Sequence, residues 1–268
     1  MEKLVNFPAC NIYLVSFAPL NPVLVARGAG QPFSNNLFML SYQQKQFKLF
    51  EELEKKYSQG LKPTEIVDKI KDYPNDKRLC LTSVAFLPDG IQRKIIETLI
   101  KPLRQADPRH YYFVPESLHI TIKNIRVIND PPYFNSHDIE KVRQVFQNVL
   151  NNFKPISFEL KGLFTMPTSL SIRGYSDKAL KDLVLSLDKG LNGAGVPDDK
   201  KYASEEIFFG NTNICRYTTT PHEEFITKVN QLKEIEIGQF EVKKINLITT
   251  NVACHPAKTK VLSQYRLV

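Results

Sequence analysis

Apolar and polar positions change their period several times along this chain, and each change marks an element. Residues 1–40 show no sustained period and are punctuated by Pro19, Pro22, Gly28, Gly30 and Pro32, which predicts extended or irregular structure. Tyr42–Tyr57, rich in Gln, Lys, Glu and Leu, predicts a helix, and Leu61-Lys62-Pro63-Thr64-Glu65 opens a second, short one running to about Lys71. After the Pro74-Asn75-Asp76 turn the pattern becomes regular. Leu79–Phe86 predicts a strand, Pro88-Asp89-Gly90 a turn, and Ile91–Leu103 repeats apolar residues at helical spacing. Tyr111–Val114 and Leu118–Ile125 read as strands, and Ser136 caps a helix to about Asn151.

The sequence then repeats the theme. Ile156–Phe164 and Leu170–Ile172 predict a hairpin, and Asp177–Gly190 a helix ending at glycine. A polar loop, Asn192 to about Ser204, leads into the strand Ile207–Tyr217 and a helix opening near Pro221. Ile235–Ile248 is strand-rich, and Tyr265-Arg266-Leu267 can close a sheet. Two strand–helix–strand halves in succession argue an α+β domain with internal duplication. The boundaries are an extension, residues 1–77, and a main domain, residues 78–268.

Composition sharpens this only a little. Hydrophobic residues at 42% and charged residues at 24% are ordinary for a globular protein. A net charge of +8 and a pI near 9.2 favour a phosphate-bearing partner, RNA or nucleotide included, although no Lys/Arg block dominates. Cys10, Cys80, Cys215 and Cys254 are scattered without a CxxC pair, so neither a zinc site nor a disulfide framework follows. The default is a reducing compartment, hence the cytoplasm. No His/Asp/Glu cluster has metal-ligand spacing, and no cofactor is expected. The apolar run at 10–26 is broken by Pro19, Pro22, Asn11 and Asn21 and is too short to span a membrane. With Lys3 balanced by Glu2 and no small-x-small cleavage site, it is also a poor leader. The expectation is no membrane association and a packed or partner-facing extension.

One segment carries candidate chemistry: Pro115-Glu116-Ser117-Leu118-His119-Ile120-Thr121-Ile122-Lys123. Strand period sends Leu118, Ile120 and Ile122 to one face, and His119, Thr121 and Lys123 to the other. An imidazole, a hydroxyl and an ammonium in a row suit a phosphate: charge, a hydrogen bond, and a proton near neutral pH. The plain alternative is a half-buried strand whose polar face meets solvent.

The order strand, turn, helix, aromatic-Val-Pro segment, Ser-Leu-His-Ile-Thr-Ile resembles the first half of the 2H phosphoesterases, which include 2'-5' RNA ligases and 2',3'-cyclic nucleotide phosphodiesterases. The resemblance covers roughly residues 78–268. It implies two pseudo-symmetric lobes of antiparallel sheet, helices packed outside, and a central cleft. It also implies a second His-x-Thr on the related strand, followed by a small residue and an arginine. The matching segment here is Asn211-Thr212-Asn213-Ile214-Cys215-Arg216, 92 residues on (211 − 119 = 92). Asn211 stands where the second histidine belongs, and Asn213 where the second threonine belongs. An asparagine amide hydrogen-bonds a phosphate oxygen but does not titrate. The resemblance therefore implies His119 as the proton-transfer group, with Thr121, Asn211, Asn213 and Arg216 holding phosphate oxygens.

Strict alternation places Arg216 on the face opposite Asn211 and Asn213, so it reaches the cleft only if the strand bulges or its side chain curls over the edge. His222, at a helix opening, is the nearest alternative imidazole, with surface decoration as its plainer account. Tyr111, Tyr112 and Phe113 are candidates for base stacking, or for the core. Three functions remain open: an enzyme with weakened catalysis on a 2',3'-cyclic phosphate or 2'-5' linkage, a catalytically inactive phosphate-, nucleotide- or RNA-binding module, and a scaffold whose extension meets a protein partner.

Overall fold

The computed structural model describes residues 41–60, 72–199 and 203–268. The expectations for residues 1–40 and for a helix at 61–71 lie outside these. The described chain runs α1 (Tyr42–Gly60), β1 (Leu79–Phe86), α2 (Asp89–Ile95), α3 (Lys101–Ala106), β2 (Tyr111–Tyr112), β3 (His119–Asn129), α4 (Ser136–Leu150), β4 (Ile156–Met166), β5 (Ser169–Ser176), α5 (Ala179–Gly193), β6 (Gly210–Arg216), α6 (Glu223–Gln231), β7 (Glu236–Val242), β8 (Lys244–Thr250) and β9 (Lys260–Arg266). The strands form two antiparallel sheets, in the orders β3-β1-β8-β9 and β2-β6-β5-β4-β7. The fold is α+β and bilobal, as expected.

Local chemistry accounts for the element ends. Asn135, not Ser136, caps α4: its Oδ1 accepts from the backbone N–H of His137 and Asp138, while Asp138 Oδ2 accepts from Asn135 N. Between α2 and α3 the helix takes one π turn, Ile96–Ile100. Pro102, second residue of α3, offers no N–H to the carbonyl four residues back, which favours that local widening.

The segment Ile235–Ile248, expected to be strand-rich, divides at Lys243 into two strands. β7 goes to the edge of the second sheet beside β4, and β8 to the interior of the first between β1 and β9. Burial follows the placement: β7, at the edge, keeps Glu236, Gln239 and Glu241 exposed, whereas β8 is buried from Ile245 to Thr250 on both faces.

A shared core joins the lobes. Leu81, Ala85 and Ile120 of the first sheet and Leu160, Ile172 and Ile214 of the second belong to one buried cluster with Phe146 of α4 and Leu183 and Leu187 of α5. The sheets meet most closely where β6 passes β3. A Cβ placed on Gly210 would lie 2.8 Å from Ile120 Cγ2 and 2.8 Å from Phe158 Cε1, so only glycine permits that approach.

The helix α1 docks on the second lobe. Phe50 is fully buried against Phe164, Tyr175 and Phe209, with ring centroids 5.2, 5.6 and 4.3 Å away. Gln46 Nε2 donates to the Phe208 carbonyl and to Ser176 Oγ. Among the described residues, no helix is long and apolar enough to cross a membrane.

Candidate functional site

Two irregularities in strand pairing build the site. On β3, Thr121 sits opposite Val84 and Lys123 opposite Ser83, so Ile122 is an extra, unpaired residue. On β6, Asn213 sits opposite Ser171 and Cys215 opposite Leu170, so Ile214 is extra in the same way. A bulge of this kind resets the alternation beyond it. On β3 the face carrying His119 and Thr121 therefore continues with Asn124. On β6 the face carrying Asn211 and Asn213 continues with Arg216.

These six side chains line one pocket between the lobes, together with Thr82 of β1, Thr250 of β8, and Asn251, Val252 and Cys254 of the turn beyond it. The pocket encloses about 490 Å³, its mouth included. Sequence reasoning thus brought His119, Thr121, Asn211 and Asn213 to one face pair, and the bulge adds Arg216 to them.

Lys123 is a correction. Expected beside His119 and Thr121, it is turned by the bulge to the opposite face, where its ammonium is buried between the carboxylates of Asp188 and Asp198. Asn124 takes its place in the pocket. Thr82, Asn124, Thr250, Asn251, Val252 and Cys254 were not anticipated, because no motif in the chain marks them.

The polar groups are oriented. His119 Nδ1 lies 2.7 Å from the Ser117 carbonyl. A carbonyl only accepts, so Nδ1 carries a hydrogen, and the bond to the Cys254 sulfur falls to Nε2, the ring nitrogen on the pocket side. Asn124 Oδ1 accepts from Thr82 Oγ1 at 2.8 Å. Asn213 Oδ1 accepts from Ser171 Oγ at 2.5 Å and Ser169 Oγ at 3.3 Å. Each amide oxygen is thereby occupied by a hydroxyl of the neighbouring strand, which leaves the NH₂ as the group to offer. Asn211 Nδ2 in turn donates to Ser171 Oγ at 3.3 Å.

Arg216 is only 3% exposed. One terminal nitrogen donates to the Val252 carbonyl at 2.9 Å, and its Nε has no hydrogen-bond partner among the described residues. No aspartate or glutamate lines the pocket among the described residues.

Cys254 adjoins His119. Burial pushes its thiol up, but the charge and hydrogen bond of the His119 imidazole, helped by the hydroxyls of Thr259 and Thr250, outweigh burial and hold it below the usual thiol range. No described group of His, Cys, Asp or Glu is arranged to hold a metal ion.

The other histidines lie elsewhere. His222 caps α6 through its backbone, its N–H donating to Asp107 Oδ2. His110 is enclosed by Tyr217 and Phe225, and His255 Nδ1 accepts from Ala257 N. Tyr112 is core, its hydroxyl donating to the carbonyls of Leu103 and Asp107, and Phe113 is buried. Tyr111 packs on Tyr73 at 4.4 Å, and burial pushes its phenol up to about 12.

The groove face of the second sheet is shared. Ser169, Ser171, Arg173 and Tyr175 alternate along β5 on the side that bears Asn211 and Asn213. Ser169 and Ser171 serve the pocket, whereas Arg173 and Tyr175 lie under α1. Arg173, directly opposite Asn211, donates to Glu54 Oε2 at 2.7 Å and lies over the ring of Phe47. So α1 ends the polar face just beyond Asn211.

No protein-family model matches the chain, and no curated protein matches it in sequence. Among solved structures it is similar to TT0787 of Thermus thermophilus, with 14% identity and a TM-score of 0.51 over 71% of this chain and 97% of that one. A protein solved as a phosphoesterase is 12% identical, with a TM-score of 0.49 over 71% and 99%. Escherichia coli LigT complexed with 3'-AMP is 13% identical, with a TM-score of 0.47 over 72% and 99%. The first likeness is one of fold, and the chemistry rests on the pocket itself.

Proposed function

We propose that this protein recognises a phosphate ester of RNA or a nucleotide in the pocket between its lobes and acts on it in the manner of a 2',3'-cyclic phosphodiesterase or 2'-5' RNA ligase, with weakened catalysis. One observation carries the reading: the polar groups of the described lining are amides, hydroxyls, an imidazole, a thiol and a buried arginine, without a carboxylate. Such a set is suited to anionic oxygens. Arg216 has a buried Nε still to satisfy, which an equatorial phosphate oxygen would do. His119 Nε2 would exchange a proton with an ester oxygen, while Thr121, Asn211 and Asn213 would hold the remaining oxygens. The resemblance of Ser117–Lys123 to the 2H phosphoesterase motif supports the same ligand class.

Asn211 favours a second reading, a phosphate or nucleotide receptor with turnover lost. Proton transfer by a positioned side chain contributes about 10²–10⁴-fold, and an amide supplies none. Incubation with a 2',3'-cyclic nucleotide and with RNA ending in a cyclic phosphate, beside His119→Ala, separates the two. Turnover abolished by the substitution supports the enzyme. Equal background from both proteins ends that reading, and ligand binding weakened by Arg216→Ala would then support the receptor.

A further inference from the structure

Building on the phosphate-ester reading, we propose that Cys254 is the covalent nucleophile of this pocket, with His119 as its single proton partner. The thiol is placed by a built turn. Cys254 has φ of 47°, a left-handed conformation that a side chain with a Cβ seldom adopts. Asn251 holds it there: its Oδ1 accepts from the N–H of Ala253 and of His255, and its carbonyl accepts from Cys254 N. Strained backbone maintained by several hydrogen bonds is a feature of functional sites. The effect is to present a buried sulfur to the pocket lined by His119 of the first lobe and Arg216 of the second.

Three neighbours suit a thiolate. His119 hydrogen-bonds the sulfur, Thr259 Oγ1 lies 3.8 Å from it, and the Thr250 hydroxyl, 2.6 Å from that of Thr259, completes the group. The charged group facing it from the second lobe is Arg216, which grips Val252 two residues before the cysteine. Tyr111 is the remaining titratable neighbour and stays a neutral phenol. Independently of the sulfur, the unsatisfied Nε of Arg216, itself almost fully buried, points to an anion in the same space.

A nucleophilic thiolate removes the difficulty created by Asn211. Direct attack of water on a cyclic phosphate needs a base for the water and an acid for the leaving oxygen at once. A thiolate needs no base. It attacks phosphorus, an S–P bond forms, the P–O bond to the leaving ribose hydroxyl breaks, and His119 gives that oxygen its proton. Water then attacks the S-phosphoryl intermediate, the now neutral His119 takes the water's proton, and the S–P bond breaks to restore the thiolate. One histidine serves as acid and then as base, and the sum is one cyclic phosphate plus one water giving one phosphomonoester.

The test uses the full chain with 2',3'-cyclic AMP, Cys254→Ala, Cys254→Ser and His119→Gln, with folding checked by circular dichroism and thermal melting. Two results are expected. Haloacetamide alkylation of Cys254 at pH 6.5, followed by peptide mass mapping, is at least tenfold faster in the native protein than in His119→Gln and is slowed by inorganic phosphate. Rapid quenching in denaturant traps a nucleotidyl mass on the Cys254 peptide, and both Cys254 variants lose turnover. Turnover unchanged in Cys254→Ala overturns the proposal, as does alkylation equally slow with and without His119. Calorimetric binding of inorganic phosphate is read separately. If phosphate binds and Cys254 is inert, only the nucleophile falls; if phosphate does not bind, the ligand reading falls and takes the nucleophile with it.

Discussion

Ile122 and Ile214 are the unpaired residues of two matching β-bulges, 92 positions apart (214 − 122 = 92), and between them they decide what the pocket contains. Each follows a polar pair spaced by two and lets a third polar residue, Asn124 or Arg216, share the pair's face. Without the first bulge Lys123 would enter the pocket. Without the second Arg216 would leave it. The charge of the site thus comes from the second lobe and its histidine from the first.

Replacing Arg216 tests that division. A hydrogen bond to a charged group is worth about 1.5–3 kcal/mol, so Arg216→Ala is expected to weaken phosphate or nucleotide binding about 10–100-fold. Arg216→Lys keeps the charge but loses the planar fork and is expected to recover only part. Titration calorimetry at fixed salt measures both, and an unchanged affinity in Arg216→Ala would remove the arginine from the site.

Asn211→His restores a second titrating group opposite the first lobe. Hydrolysis of a 2',3'-cyclic nucleotide is expected to rise by on the order of 10²-fold, and the pH–rate profile to gain a second limb. A rate that stays at the native level would show that Asn211 is not placed against a reacting oxygen.

Gly210→Ala addresses the seam between the lobes. The new methyl would meet Ile120 and Phe158 at 2.8 Å, and overpacking of this kind costs about 1–3 kcal/mol. The melting temperature should fall. A melt unaffected by the alanine would mean that the sheets separate more easily than their packing implies.

Lys123→Met removes the cation between Asp188 and Asp198 and leaves two carboxylates facing each other in a largely buried place. Stranding buried charge in this way costs about 3–5 kcal/mol. Chemical denaturation should show the loss, and a triple variant that also carries Asp188→Asn and Asp198→Asn should reverse much of it.

His110 predicts a pH effect. Burial holds its imidazole below the usual range, although Asp107 lies 3.3 Å away and works in the opposite direction. A folded value below the unfolded one, about 6.5, means that the folded state binds fewer protons. This contribution is fully present above about pH 6.5 and is lost as pH falls through the folded value. Between pH 7.5 and 5.5 the native protein should therefore lose more stability than His110→Gln in urea titrations, and parallel losses in the two would contradict the assignment.

Much was legible in one dimension. Periodicity gave the strand–helix–strand halves, because burying one face of a strand or helix imposes its repeat on the residues. The pairs His119–Thr121 and Asn211–Asn213 were visible because period 2 holds within each pair. Alternation failed at Lys123 and Arg216, where a bulge changes parity: the extra residue, isoleucine in both strands, looks like any other core residue, and only the partner strand's register reveals that it is unpaired. Likewise the run through Lys243 divides between sheets according to which neighbours are free to pair, and the turn at Asn251–Cys254 joins the site because the tertiary fold carries it there. The sequence by itself determined the element types and the polar residues available to each strand. The tertiary structure decided which of them share a pocket, because register, bulges and strand order are settled between segments far apart in the chain.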